Sequence, residues 1–97
     1  MTYEIVYSPQ FAKSLRRCQK RGFDMSEFVK VSSILADGGQ LPEKYCQHKL
    51  TGEYAGCWEC HIKPDWLLVW KRNDRELLLL FIMTGSHTDI FDKKRNL

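Results

Sequence analysis

The stretch Trp66-Leu67-Leu68-Val69-Trp70, resumed after a polar break as Leu77-Leu78-Leu79-Leu80-Phe81-Ile82-Met83, decides the fold of this chain. Both runs are apolar throughout, yet they fall far short of the ~20 residues that a membrane-spanning helix needs. Such runs are typical of central strands covered on one face and partly covered on the other. The sequence therefore predicts two strands, Trp66–Arg72 and Glu76–Thr84, joined by a two-residue turn at Asn73-Asp74.

Two further strands are predicted outside this central pair. One is Cys57–Ile62, which a turn at Lys63-Pro64 joins to the central strands. The other is Tyr3–Tyr7, in which apolar and polar side chains alternate. A long connection, Gln40–Gly56, precedes the last three strands and looks irregular. Unstructured loops of that length in compact domains are often functional.

The segment after the first strand is predicted to form two helices. Ser8 and Pro9 suit the N-cap and the first position of one helix, which Gly22 ends. Asp24 begins a capping-box pattern for the second helix, and Gly38-Gly39 ends it. The element order β-α-α-β-β-β predicts an α+β fold, in which an antiparallel sheet has a two-helix hairpin packed on one face.

Length and composition indicate one small domain over residues 1–97. Hydrophobic residues make up 43% of the chain, which suffices for a core, and the net charge of +3 permits binding to a polyanion or an acidic partner. The N-terminus lacks the regions of a signal peptide. We therefore expect a cytoplasmic protein with four reduced cysteines and no membrane association. The tail Asp92–Arg95 is expected to be solvated.

The two-residue turns also set an expected register for the sheet. They place His61 opposite Trp66, and Trp66 in turn opposite Phe81. The end of the last strand then passes the rim that carries Asp65, and we expect His61, Asp65 and His87 to cluster there. A slip of one residue would scatter this group, because it reverses the face on which every side chain lies.

Three histidines at turns or rims, beside one acid, admit two kinds of chemistry. With an unperturbed pKa near ~6.5, one imidazole can remove a proton while another donates one. A metal site made by His48, His61 and His87 is the competing interpretation, although their spacing matches no known metal motif. The segment Cys57–His61 matches a haem-attachment pattern and half a zinc site. We reject both, because residues three apart on a strand point to opposite faces.

A basic helix face and several aromatic residues suggest contact with RNA. The first helix carries five cations: Lys13, Arg16, Arg17, Lys20 and Arg21. Cations can meet phosphates while exposed rings stack on bases, and the rings near the rim are Trp66, Phe91 and Tyr45. The basic face could equally be an ordinary solvated surface, and Phe91 could equally plug the core.

The residues together resemble a known family. The segments that carry the resemblance are His48–Gly52, Gly56, Cys60–Leu68, Thr84–His87 and Phe91. They are similar to the YafQ branch of the RelE-type toxins, which belong to bacterial type II toxin–antitoxin pairs. The resemblance covers essentially the whole chain. It implies an endonuclease that cuts mRNA on the ribosome without a cofactor and that an antitoxin protein encoded beside it neutralises.

Matched positions carry the family's roles over to this chain. The resemblance implies as catalytic residues His48, His61, Asp65 and His87, and as aromatic positions Trp66 and Phe91. The 2′-hydroxyl of RNA supplies the nucleophile, so that one group deprotonates it and another protonates the departing 5′-oxygen, while a cation steadies the phosphorane. We expect His87 and either His48 or His61 to transfer the protons, with Asp65 orienting a ring or accepting a proton.

One departure from the family pattern concerns that cation. Relatives often have an arginine immediately before Thr-Gly-x-His, where this chain has Met83, and Trp58 also replaces a common arginine. Losing a transition-state cation can cost ~10²–10³ in rate. Lys49 or Lys63 is expected to bind RNA and could substitute for the arginine. The alternative is a weak enzyme, or a non-catalytic protein that binds an antitoxin or RNA.

Overall fold

A computed structural model describes residues 2–91, and the tail Asp92–Arg95 lies outside the described residues. The elements are, in chain order, β1 (Glu4–Tyr7), α1 (Pro9–Lys20), α2 (Met25–Ala36), β2 (His48–Lys49), β3 (Trp58–Lys63), β4 (Trp66–Asn73), β5 (Leu78–Gly85) and α3 (His87–Phe91). Single turns of 3-10 helix lie at Glu43–Tyr45 and Gly52–Tyr54. The predicted order is retained, and β2 and α3 are added to it.

Both predicted helix starts are confirmed by their hydrogen bonds. The Ser8 hydroxyl accepts from the backbone N–H three residues on at 3.0 Å, and the Asp24 carboxylate accepts from the N–H two residues on at 3.0 Å. Only the aspartate half of the second capping motif forms. Its glutamate, Glu27, instead reaches the Lys63 ammonium, 3.5 Å away at the end of β3.

The five strands form one sheet in the order β1-β5-β4-β3-β2. Strands β3 to β5 pair antiparallel, as predicted, and the added β2 pairs antiparallel to β3, whereas β1 pairs parallel to β5. The α+β class is confirmed, and the sheet differs from the prediction in being mixed. Strand β1 takes this place because the meander leaves the outer edge of β5 open. There the Glu4 and Ser8 N–H groups donate to the Leu77 and Phe81 carbonyls at 2.8 and 3.0 Å.

Two apolar layers enclose the sheet. On the helix side, the rings of Phe11 and Phe28 pack against Phe81 with centroids 5.3 and 6.1 Å from it. The buried members of the opposite layer are Cys57, Leu67, Val69, Met83 and Ile90. Cys60 belongs to the helix-side layer and Cys57 to the other, which confirms that the two thiols face opposite ways.

The turn after β3 differs from the predicted one. It consists of Pro64-Asp65 rather than Lys63-Pro64, and the pairing is irregular just before it. His61 consequently lies beside Leu67, and its predicted pairing with Trp66 is wrong. The irregularity changes the direction of the last side chain of β3, Lys63, which pairs with Glu27 of α2.

The turn after β4 is also longer than predicted. Strands β4 and β5 meet at Asn73 and Leu78, so the turn has four residues instead of two. Within it Leu77 has a φ of +53°, which non-glycine residues rarely adopt and which no local pattern predicts. The predicted pairing of Trp66 with Phe81 is therefore wrong. The end of β5 lies beside the start of β4, which brings the beginning of α3 next to the turn between β3 and β4.

Candidate active site

The three histidines form a row on the sheet face opposite α1 and α2. His48 lies on β2, His61 on β3 and His87 at the start of α3. The ring centroids of His48 and His61 are 6.4 Å apart, and those of His61 and His87 are 5.4 Å apart. All three rings are at least partly exposed. The structure therefore brings together side chains from three segments within reach of one ligand group; we call them the histidine row.

A buried carboxylate, Glu59, joins two members of the row. Its side chain is 5% exposed, and its Oε1 lies 3.2 Å from His48 Nε2 and 3.7 Å from His61 Nε2. The His48 Nδ1 atom lies 2.7 Å from the Cys46 carbonyl, which can only accept, so this nitrogen carries a proton. The Glu59 carboxylate lies at ion-pair distance from Nε2. The geometry suits a cationic His48 held between the carbonyl and Glu59.

Asp65 fixes the orientation and the tautomer of His87. Its Oδ1 accepts from the His87 backbone N–H at 3.0 Å and lies 2.7 Å from the ring Nδ1. These hydrogen bonds, the backbone one above all, hold the pKa of the Asp65 carboxyl below its usual value. Asp65 is thus ionised at neutral pH and Nδ1 carries the shared proton, which leaves Nε2 for a substrate.

A second carboxylate, Asp89, anchors α3 and with it His87. It accepts from the Ser86 N–H at 2.9 Å and from Arg21 Nη1 of the α1 C-terminus at 2.7 Å. The guanidinium is the main cause that lowers the pKa of Asp89 to about 2, against the opposing effect of burial. Gly85 makes room for this carboxylate, because a Cβ there would lie 2.9 Å from it at a φ of +152°.

A comparison with known families adds to this geometry. A family model described as a bacterial toxin of type II toxin–antitoxin system, YafQ, matches residues 3–92. The chain belongs to the YafQ family. The resemblance noted in the sequence is thereby confirmed, and the match includes the whole sheet, both long helices and every member of the histidine row.

Individual members of the YafQ family are similar over nearly their whole length. The mRNA interferase toxin YafQ of Escherichia coli K12 is 36% identical over 89 residues, or 91% of this chain and 95% of that protein. A chain in the crystal structure of the E. coli DinJ–YafQ toxin–antitoxin complex has a TM-score of 0.84 at 35% identity, covering 94% and 99% of the two chains. A metal-bound toxin from Helicobacter pylori has a TM-score of 0.85 at 38% identity, covering 94% and 100%.

The aromatic residues predicted to contact RNA differ in their exposure to solvent in this YafQ-family chain. Phe91 is 39% exposed, with its ring 5.9 Å from that of Tyr54, so it is not a core plug. Trp66 is 2% exposed and its Nε1 donates to Thr84 Oγ1 at 2.9 Å. The prediction that Trp66 stacks on RNA is wrong, because its ring is a core residue that ties β4 to β5. Tyr45, at 3% exposure, is likewise no exposed rim aromatic.

The two lysines considered as substitutes for the family arginine do not share the face of the histidine row. Lys49 Nζ lies 5.2 Å from the ring of Trp58, which packs against the helix-side layer. Lys63 Nζ pairs with Glu27 of α2. Substitution by either lysine is therefore unsupported, although their contact with RNA stays a prediction.

Sequence reasoning missed Glu59. A signal was present, because an acid two positions before a histidine on a strand lies on the same face as that histidine. No sequence signal indicated that His48 lies beside Glu59, because β2 has only two residues and stands within a connection that looks irregular. The burial of Glu59 depends on that approach, and for this reason its role became visible only in the structure.

Residues 2–91 contain neither a membrane-spanning helix nor a cluster of metal ligands. No helix there is long and apolar enough to cross a membrane. No group of three His, Cys, Asp or Glu side chains in the same residues is arranged so that it could hold a metal ion. The three-histidine metal site considered from the sequence therefore lacks a suitable ligand arrangement in the described part of the chain.

Proposed function

We propose that this chain is the toxin of a type II toxin–antitoxin pair and an endoribonuclease that cuts mRNA on the ribosome in the bacterial cytoplasm. The observation that carries the proposal is the exposed histidine row held by Glu59 and Asp65. Membership of the YafQ family supports the reaction class, since one similar protein is an mRNA interferase toxin. RNA supplies its own nucleophile, so proton transfer and charge stabilisation suffice.

The proposed reaction is attack of the 2′-oxygen on the adjacent phosphorus, which breaks the bond to the 5′-oxygen and leaves a 2′,3′-cyclic phosphate. His61 removes the proton of the 2′-hydroxyl, and His87 gives a proton from Nε2 to the departing 5′-oxygen. Asp65 favours this role because an ionised carboxylate at Nδ1 stabilises the cationic ring. The 5.4 Å between the two rings lets both contact one phosphodiester.

His48 supplies the transition-state charge in this proposal. Met83, in the place of the family arginine, is buried beside Leu67, Val69 and Ile90, so that position offers no cation. His48, paired with Glu59, places a cationic ring at the end of the histidine row. A preorganised charge of this kind is typically worth ~10²–10³ in rate. The absence of the arginine is therefore compatible with catalysis.

An antitoxin is the second partner we propose, beside the ribosome and its mRNA. A similar toxin occurs in a complex with the antitoxin DinJ. The exposed cations of the first helix and its C-cap are Lys13, Arg16, Arg17, Lys20 and Arg21. An acidic antitoxin segment that folds over this face would hide these cations from RNA, and complementary charge would speed its association.

Mapping of mRNA 5′ ends after induction in a bacterium tests the proposal. We expect growth arrest and new ends within translated coding regions, and we expect co-expression of the antitoxin encoded beside the gene to suppress both. Messages whose start codon has been removed serve as the control and should remain intact. If untranslated and translated messages are cut alike, dependence on the ribosome is contradicted.

A non-catalytic protein that keeps the toxin fold to bind an antitoxin or RNA is a second candidate, which Met83 motivates. It predicts full antitoxin binding with no new RNA ends at any level of induction. The same mapping experiment, combined with an antitoxin pull-down, therefore separates the two candidates. Cutting that requires a metal carried by the purified protein would instead indicate the metal-dependent chemistry considered from the sequence.

A further inference from the structure

Thr84 is buried near the end of β5, and its hydroxyl joins β5 to the start of β4. Trp66 Nε1 donates to Thr84 Oγ1 at 2.9 Å, and Thr84 Oγ1 donates to the Leu67 carbonyl at 2.6 Å. The direction of both hydrogen bonds is fixed, because an indole N–H can only donate and a carbonyl can only accept. The proposed reaction assigns nothing to this hydroxyl.

A third hydrogen bond holds the backbone of Thr84. Its N–H donates to Ser14 Oγ of α1 at 3.2 Å, and Ser14 Oγ in turn donates to the Phe11 carbonyl at 2.9 Å. Thr84 and Ser14 are both buried, so a group that lost its partner here would have no water to replace it. The end of β5 is therefore fixed against both β4 and α1.

The two segments that Thr84 joins carry the Asp65–His87 pair. Asp65 immediately precedes Trp66, and His87 follows Thr84 by three residues. The Asp65 and His87 side chains are 70% and 51% exposed, although Asp65 Oδ1 lies only 2.7 Å from His87 Nδ1. Exposed ion pairs contribute little stability on their own, because water competes for both partners. The pair therefore depends on buried contacts that hold its two segments at the right distance.

We propose that Thr84 is a positioning residue whose buried hydroxyl sets the distance between Asp65 and His87, an inference that rests on the proposed function. The Asp89–Arg21 ion pair cannot replace it. That pair joins α3 to the end of α1, whereas Asp65 lies in the turn between β3 and β4. Without the hydroxyl, the end of β5 can shift against β4, and a displacement of ~1 Å can cost ~10²-fold in rate.

The rate of cutting in matched variants tests the proposal. Thr84→Val keeps the shape and removes the hydroxyl, whereas Thr84→Ser keeps the hydroxyl. In single-turnover cutting of ribosome-bound mRNA, we expect Thr84→Val to lower the maximal rate about tenfold to a hundredfold. The protein concentration that gives half the maximal rate should stay within about twofold, because binding is not altered.

Two controls separate positioning from a general loss of stability. We expect Thr84→Ser to cut at nearly the parental rate. Val31→Ala removes buried side-chain volume from α2, far along the chain from the hydroxyl, and should also cut like the parent while it is folded. A parental rate in Thr84→Val, or an equal loss of rate in either control, would overturn the proposal.

A second measurement does not depend on cleavage. Nitrogen-15 NMR of the neutral ring reports which nitrogen of His87 carries the proton, and Asp65 holds that proton on Nδ1 in the parent. We expect Thr84→Val to show a mixture of both tautomers, and Thr84→Ser and Val31→Ala to keep the parental one. If Thr84→Val does not fold, Ser14→Ala takes its place with the same expectation, because it removes the acceptor of the Thr84 N–H.

The two measurements distinguish failure of this inference from failure of the proposed function. If the parent cuts no RNA, the proposed function fails and the NMR measurement alone decides the role of Thr84. A mixture of tautomers confined to the variant that loses the hydrogen bond then supports positioning. A single tautomer in that variant, or a mixture already present in the parent or in Val31→Ala, overturns it.

Discussion

Glu59 places a buried charge between two imidazoles, and its surroundings explain why it is tolerated there. Burying a carboxylate costs several kcal/mol unless a partner compensates it, and His48 Nε2 at 3.2 Å supplies the partner. The second oxygen, Oε2, has no hydrogen bond among residues 2–91, so the compensation is incomplete. Because burial of Glu59 costs stability, its role lies in the chemistry of the histidine row and not in stabilising the fold.

Replacing Glu59 by glutamine should therefore separate catalysis from stability. The amide keeps the shape but removes the carboxylate charge beside His48 and His61, and we expect Glu59→Gln to lower the cleavage rate ~10–100-fold, as for the partners of metal-ligating histidines. The measurement is single-turnover cutting of ribosome-bound mRNA, with thermal unfolding followed in parallel. Glu76→Gln, an exposed position in the turn between β4 and β5, is the control. A parental rate for Glu59→Gln would refute its proposed role.

Helix α3, which carries His87, is held in place by contacts with elements distant in the sequence. It has only five residues and too little length to be stable alone, so its place depends on contacts with other elements. Asp89, whose side chain is 7% exposed, ties it to Arg21 at the C-terminus of α1. His87 stands at the start of this helix, and the same ion pair therefore holds the catalytic ring.

Acid unfolding measures the contribution of Asp89. Its folded pKa of about 2 lies below the usual 3.8, so the stabilisation is present above pH 3.8 and is lost as the pH falls toward 2. We expect Asp89→Asn to lower the free energy of unfolding at pH 7 by about 1–2 kcal/mol, a range that allows for solvent at the half-exposed Arg21. Denaturant titrations should show the difference shrinking by pH 2. A difference of equal size at both pH values would contradict the assignment.

The elements that the sequence predicted well are those with local causes. Ser8 and Asp24 cap their helices through bonds within three residues, and the alternation of side chains along an extended segment separates the thiols of Cys57 and Cys60. The predicted register between β4 and β5 is wrong because it depends on a turn in which Leu77 takes a left-handed conformation without glycine. The register between β3 and β4 is wrong because their pairing is irregular just before the turn. Strand β2 was missed because two residues carry no periodicity, so the pairing of Glu59 with His48 could be found only in three dimensions.

In the whole molecule, the two faces of the sheet have different functions. On one face α1 and α2 cover the larger apolar layer, and α1 with its C-cap carries the basic surface proposed for the antitoxin. On the other face the smaller layer stops short of the edge where β2, β3 and α3 present the histidine row. The long connection after α2 and the C-terminal helix approach each other only because the sheet places them side by side. The candidate site is thus a product of topology, which single motifs did not reveal.

The central claim is that the histidine row acts on one phosphodiester, and the rate of mRNA cutting in programmed ribosomes tests it most directly. Purified protein, shown by elemental analysis to carry no metal, is compared with His87→Ala and with Thr88→Ala, an exposed neighbour on α3. Loss of one general acid should reduce the rate ~10²–10⁴-fold in His87→Ala, with thermal unfolding unchanged and Thr88→Ala cutting like the parent. A His87→Ala protein that cuts the same messages at the parental rate would contradict the claim.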